Sequence, residues 1–134
     1  MIAVKFLDDA WYEAHLDRIS QTFTEPGKLK TELVEVYRNV WGEPGRTKWI
    51  KYVVENTLVR EITRGDGEDT VPDASFRCFG DYKSYVAVCQ KRLDPKMGIL
   101  GRTFILEGGV MAAMPMLPTY DKLTECKRVP GMEF

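Results

Sequence analysis

One histidine, three cysteines, an acidic loop and a basic cluster hold most of this chain's capacity for chemistry, and their spacing decides what they can do. His15 is the only histidine. It has no serine or cysteine at a motif spacing, and on a helix it falls one turn from both Trp11 and Ile19, so it reads as a packing histidine. Cys78, Cys89 and Cys126 are odd in number and lack the close pairing of a zinc site or redox motif, which fits free thiols in a reducing compartment. Cys78 falls in a strand and Cys89 on the apolar face of a helix, where a thiol acts as a small hydrophobe. Asp66-Gly67-Glu68-Asp69 lacks the alternating ligands and closing glutamate of a calcium loop and reads as a solvated turn. Gly108-Gly109 before an apolar stretch reads as a tight turn rather than an anion site. Lys91, Arg92 and Lys96 gather around a helix break, where they either steer a polar head group or a membrane surface, or offset the carboxyl end of a helix. None of these sets is a catalytic constellation. The reading is a protein that is not an enzyme, with no metal and no cofactor.

Hydrophobic periodicity supplies the frame for these groups. Residues 8–23 predict a helix, capped by Asp8 or Asp9 and striped by Tyr12, Leu16, Ile19 and Phe23; Glu25-Pro26-Gly27 ends it. Residues 33–41 fit either period, and their β-branched and aromatic content favours a strand running into the turn Gly42-Glu43-Pro44-Gly45. Ile50, Tyr52 and Val54 alternate with wetter neighbours, residues 58–63 alternate again, and a polar loop over 64–73 leads to a strand over 74–79. Four strands without an intervening helix predict an antiparallel meander. Asp81 then caps a helix with Tyr82, Tyr85, Val86, Cys89 and Leu93 on one face, and Asp94-Pro95 starts a short helical turn closed by Gly101. A fifth strand over 102–107 precedes a short apolar helix from Val110 to Met114, limited by Pro115 and Pro118. Leu117, Tyr120 and Leu123 continue as a further helix, and Arg128-Val129-Pro130-Gly131 reads as a tail.

Composition bounds the function. A chain of 134 residues with 44% hydrophobic content can bury one core. A formal charge of −1 provides no field to hold a polyanion, so no nucleic-acid partner is expected. The amino-terminal segment reaches Asp8 and Asp9 before it assembles the apolar run of a leader, and the longest apolar run, 108–117, is too short to span a bilayer. A soluble, cytoplasmic protein is the expectation.

The order of elements, with Gly80-Asp81-Tyr82, Leu93-Asp94-Pro95 and Gly101 through Gly108 as its anchors, resembles the sterol-carrier-protein-2 family, in particular a small stand-alone prokaryotic-type member. The chain departs from the family's pattern at Lys91-Arg92, Gly98-Ile99 and Gly109, and Pro115 with Pro118 breaks a helix that the family keeps straight. The resemblance implies a single lipid-binding domain over residues 1–134, of α+β class. Its five-stranded, largely antiparallel sheet is covered on one face by helices.

The family carries sterols, fatty acids or acyl-coenzyme A without chemical change in an apolar cavity between sheet and helices. On that basis Ile50, Tyr52, Val54, Phe76 and Phe104 would floor the cavity and Met97, Ile99, Leu100, Met111, Met114 and Leu117 would form its lid. Lys91, Arg92 or Lys96 would steer a polar head, and the partners would be an apolar small molecule and, in passing, a membrane surface. From pattern alone, Met97, Met111 and Met114 read as filling a closed core, and only the resemblance makes them a lid. Two rival readings stand beside this one. One is a hot-dog-type acyl-coenzyme A thioesterase, although the helix from Asp81 offers no acid past its cap. The other is a protein-interaction domain with a closed core and exposed Trp41 and Trp49.

Overall fold

A computed structural model describes residues 4–134; residues 1–3, where the segment read above for a leader begins, lie outside the described residues. Strand β1 (Val4–Lys5) is followed by helix α1 (Asp9–Thr22), strands β2 (Thr31–Arg38), β3 (Lys48–Glu55), β4 (Leu58–Asp66) and β5 (Phe76–Asp81), and helices α2 (Tyr82–Cys89) and α3 (Pro95–Leu100). Strand β6 (Ile105–Glu107), helix α4 (Val110–Ala113), a 3-10 turn (Met114–Met116), helix α5 (Leu117–Lys127) and strand β7 (Met132–Glu133) complete the chain.

The expected caps form. Asp8 accepts from the Trp11 amide at 2.7 Å, Asp81 from Lys83 at 3.1 Å and Asp94 from Lys96 at 3.1 Å, each satisfying an amide that the first helical turn leaves free.

The sheet order is β4-β3-β2-β5-β6, an α+β arrangement in which every pairing is antiparallel except β2 with β5. This corrects the predicted meander: β5 does not fold back beside β4 but crosses to the far side of β2 and runs parallel to it, with Leu33 opposite Phe76 and Tyr37 opposite Gly80. The physical reason lies in the strands themselves. Strand β2 is apolar on both faces, with Val34 and Val36 buried on one and Leu33 and Tyr37 on the other, so it needs neighbours on both sides. Strand β4 carries Arg60, Glu61 and Arg64 and remains largely exposed, as suits an edge. The crossing loop covers the outer face, where Val71 and Ala74 pack with Trp49 on Val34, Val36 and Phe79.

Helices α1, α2 and α5 cover the other face. Trp11, Tyr12, Ile19, Tyr82, Tyr85, Tyr120 and Leu123 pack there against Leu33, Tyr37, Ile50, Tyr52 and Cys78. Strand β6 is shorter than the expected 102–107, because the backbone turns at Arg102 (φ 63°) so that the Phe104 ring can enter between two glycines. A Cβ on Gly80 or Gly98 would stand 2.4 or 2.6 Å from that ring, so both positions require a bare backbone. The predicted tail is also structured: β7 pairs parallel with β1, Val4 opposite Met132.

Trp41 and Trp49 are not the exposed pair of the interaction-domain reading. The Trp41 indole donates to the Phe6 carbonyl at 2.9 Å, and the Trp49 indole lies against Gly65 and donates to Thr70 Oγ1 at 3.0 Å.

Candidate functional site

Four short elements meet at the β6 edge of the sheet and leave an apolar groove between them. Helix α3 is started by Asp94 with Pro95, where the missing amide costs nothing, and is closed by the Gly101 amide donating to Met97 O at 2.9 Å. Gly108, at φ 110°, turns the chain from β6 toward α4; a Cβ there would stand 2.4 Å from the Ser75 carbonyl, so only glycine fits. Pro115 and Pro118 break the run 110–127 into α4, the 3-10 turn and α5, which lets α4 lean over the gap.

The groove has a volume of about 250 Å³ and is lined by Ile99, Leu100, Leu106, Val110, Ala113, Met114 and Leu117, with Lys96 as the one polar side chain on its rim. Toward the core, among Leu33, Cys78, Met116 and Tyr120, the space narrows to about 10 Å³, too little for more than a water molecule.

Of the expected ligand-binding residues, Ile99, Leu100, Met114 and Leu117 therefore converge with Lys96 on one groove. Met97 and Met111 stand outside its lining, on the surface beside it, with Met111 83% exposed. Ile50, Tyr52, Val54, Phe76 and Phe104 are buried and do not line this groove; Ile50 lies beside a separate cleft with Trp49 and Arg64, and Val54 beside another with Thr31 and Ser75. Among the cations, Lys96 pairs with Asp121 at 3.1 Å and Arg92 holds Gln90, while Lys91 lines a separate shallow cleft with Asp121, Glu125 and Arg128. Leu106, Val110 and Ala113 were missed. Alternation along 104–106 puts Leu106 on the same side as Phe104, and that was the available signal.

The sheet face holds polar groups in place of an open tunnel. Glu35 on β2 is fully buried and its carboxylate is completely satisfied. Lys127 Nζ lies 2.6 Å from Oε1, Tyr37 donates to Oε1 at 3.0 Å and Tyr120 to Oε2 at 3.0 Å. Burial, with the Glu35 charge second, raises the hydroxyls of Tyr37 and Tyr120 well above the usual tyrosine range, so both stay protonated donors.

His15 is equally committed. Its Nδ1 donates to the Cys126 carbonyl at 2.8 Å, which leaves Nε2 to accept from the Tyr52 hydroxyl at 2.8 Å. Burial lowers its pKa to about 3, so the ring is neutral and both nitrogens are occupied. Burial likewise pushes Cys78 up to about 12 and Cys89 up to about 11, which keeps these thiols out of the reactive thiolate form. In the acidic loop, Asp66 pairs with Lys48 at 2.6 Å and Glu68 with Arg38 at 2.8 Å.

This arrangement, a mixed sheet with helices on one face and an apolar groove under a broken carboxyl-terminal helix, is the sterol-carrier-protein-2-like fold. A crystal structure of sterol carrier protein 2 superposes with a TM-score of 0.73 at 19% identity, over 90% of this chain and 95% of that one. A conserved hypothetical protein of Thermus thermophilus, described as a candidate sterol carrier protein, superposes at 0.70 with 15% identity, over 99% and 94% of the two chains. The palmitated form of a sterol-carrier-protein-2-like protein of Aedes aegypti superposes at 0.53 with 12% identity, over 89% and 92%. No family model matches the sequence, and no curated protein sequence matches it. The hot-dog arrangement weighed above is thereby replaced. Among the described residues, no helix is long and apolar enough to cross a membrane.

Proposed function

We propose that this chain binds or transfers a lipid-like apolar ligand, of the fatty-acid, acyl-coenzyme A or sterol-like kind, without changing it chemically. The observation that carries this reading is the groove lined by Ile99, Leu100, Leu106, Ala113, Met114 and Leu117. A fold shared with sterol carrier proteins, one of them palmitated, supports it. Methionine and leucine side chains on short elements adapt to chains of different length, which favours loose selectivity.

The groove also bounds the affinity. About 250 Å³ lies just under the usual range of ligand pockets. Burying a stretch of about six methylenes contributes about 5 kcal/mol before the cost of association. Micromolar binding needs about 8 kcal/mol, so it requires contacts beyond those the groove itself offers. Lys96, at the rim, is the cation placed to meet a carboxylate or phosphate head. A cytoplasmic location fits such a carrier and its free thiols.

Organic extraction of the purified protein with mass spectrometry of the extract, together with titration of a fluorescent acyl probe, tests the proposal. Lipid in the extract or saturable probe uptake, weakened by Leu117→Lys, supports it. Repeated absence of both overturns it. A second reading, an interaction domain, draws on the closed sheet face; it predicts concentration-dependent sedimentation and no probe uptake.

A further inference from the structure

The cleft that holds Lys91 neighbours the apolar groove across one ion pair: Lys96 lines the groove, and its partner Asp121 lines the cleft. The cleft has a volume of about 410 Å³. The α2–α3 connection supplies Lys91, Leu93, Asp94 and Pro95, and one face of α5 supplies Asp121, Thr124 and Glu125 and is continued by Arg128. Its acceptors are already engaged. Asp94 caps α3, Asp121 holds Lys96 at 3.1 Å and Glu125 holds Arg128 at 2.5 Å. Its donors are not. Thr124 is only 3% exposed, and neither its hydroxyl nor the buried Nε of Arg128 has a hydrogen-bond partner among the described residues. An unpaired buried donor is costly, so two of them in the lining of one cleft mark a place for an acceptor.

Lys91 adds a third donor. It is exposed and has no carboxylate partner among the described residues. Its backbone, at φ 60°, takes the left-handed conformation that closes α2, with its amide on the Val88 carbonyl at 3.0 Å and the Arg92 amide on the Ala87 carbonyl at 2.8 Å. Glycine fills that position most easily, so a lysine there holds a strained backbone and gains an ammonium at the cleft.

We propose that this cleft binds a single phosphoryl group, with the Thr124 hydroxyl, Arg128 Nε and the Lys91 ammonium donating to it. A tetrahedral oxyanion offers acceptor oxygens in several directions, so it takes charge-assisted bonds from the end of α2 and from α5 at once, where a planar carboxylate has only two oxygens to offer. A threonine on a helix has two accessible rotamers, so one rotation about Cα–Cβ turns its hydroxyl to the ligand. The three carboxylates would repel a run of phosphates, which confines the site to one group of low charge. The cleft does not depend on the lipid-binding reading: free phosphate, and the phosphate head of an amphiphile whose tail enters the groove, present the same chemistry to it.

The test follows amide and methyl chemical shifts of the isotope-labelled full chain, titrated with inorganic phosphate and, at equal ionic strength, with sodium chloride. Phosphate should give saturable shifts at Lys91, Leu93, Thr124 and Arg128, and chloride none. Lys91→Gly removes one exposed charge and should weaken phosphate binding about three-fold to five-fold. It should not lower the unfolding midpoint, because glycine relieves the left-handed backbone. Thr124→Val keeps the shape, removes the donor and should weaken binding about tenfold. Arg60→Gln, on the edge strand β4, makes the same change in net charge as Lys91→Gly and should leave binding unaltered.

Dodecyl phosphate separates the two sources. Tighter binding than inorganic phosphate, with the gain lost in Leu117→Lys, supports the cleft as the head-group end of an amphiphile site; equal binding supports it as a site for free phosphate and counts against the groove. A gain from the tail that Lys91→Gly and Thr124→Val leave untouched would remove the cleft and keep the groove. The proposal also fails if phosphate gives no saturable shift, if chloride moves the same residues alike, or if Arg60→Gln weakens binding as much as Lys91→Gly.

Discussion

Acid should destabilise this protein through one residue more than any other, and the size of the effect follows from the geometry of His15. The ring is buried between Trp11 and Tyr52, with Nδ1 donating to Cys126 O and Nε2 accepting from Tyr52. A proton added to Nε2 would displace the Tyr52 hydroxyl bond and place a charge in the core near Lys127. Burial therefore holds the folded pKa at about 3, against the usual 6.5 of the unfolded chain. The unfolded state binds the proton first, so stability is complete above pH 6.5 and falls as pH drops from 6.5 toward 3. Each unit is worth about 1.4 kcal/mol, so the loss reaches about 3 kcal/mol by pH 4 and about 4 kcal/mol at pH 3. Urea unfolding at intervals from pH 7.5 to 4 measures it. Carboxylates also titrate there, so the informative quantity is the difference from His15→Gln, which keeps a donor and an acceptor without the titration. The parent should lose about 3 kcal/mol relative to the variant between pH 6.5 and 4. Parallel curves would refute the assignment of a neutral, doubly bonded histidine.

Two further perturbations address the interior. Lys127→Met leaves the Glu35 carboxylate buried with only the two tyrosine donors, and should cost about 3–5 kcal/mol in urea unfolding. The Glu35→Gln/Lys127→Met double variant should recover a large part of that, and purely additive losses would contradict a coupled pair. The thiols Cys78, Cys89 and Cys126 are all buried, so a disulfide reagent at pH 8 should find none of them in the folded protein and all three in denaturant. Rapid native reaction of any of them would show an opening absent from this structure.

Local signals carried much of the fold. Asp8, Asp81 and Asp94 announced their helices because a cap is a contact between residues two or three apart, readable from neighbours alone. The parallel β2–β5 pairing joins Leu33 to Phe76, forty-three positions away, and no turn chemistry encodes it. The clue was that both faces of β2 are apolar, which marks a central strand. Glu35 was legible in principle as well: it shares its side of β2 with Leu33 and Tyr37, so the alternation already placed a carboxylate inside. The pairing with Lys127, ninety-two positions on, was not. In the candidate site, Ile99, Leu100, Met114 and Leu117 share one groove, and the space beneath them narrows toward the sheet. Leu33, Cys78, Met116 and Tyr120 close in on that space, and their approach depends on contacts between distant elements that periodicity does not report.

Titration of the isotope-labelled protein with dodecanoate, followed by methyl and amide chemical shifts, would locate the ligand. Saturable changes should centre on Ile99, Leu106, Ala113 and Leu117, with Ile50 and Val54 unmoved. No saturable change at the groove, or changes centred on the β3 side chains, would show that an oily guest, if bound at all, sits elsewhere.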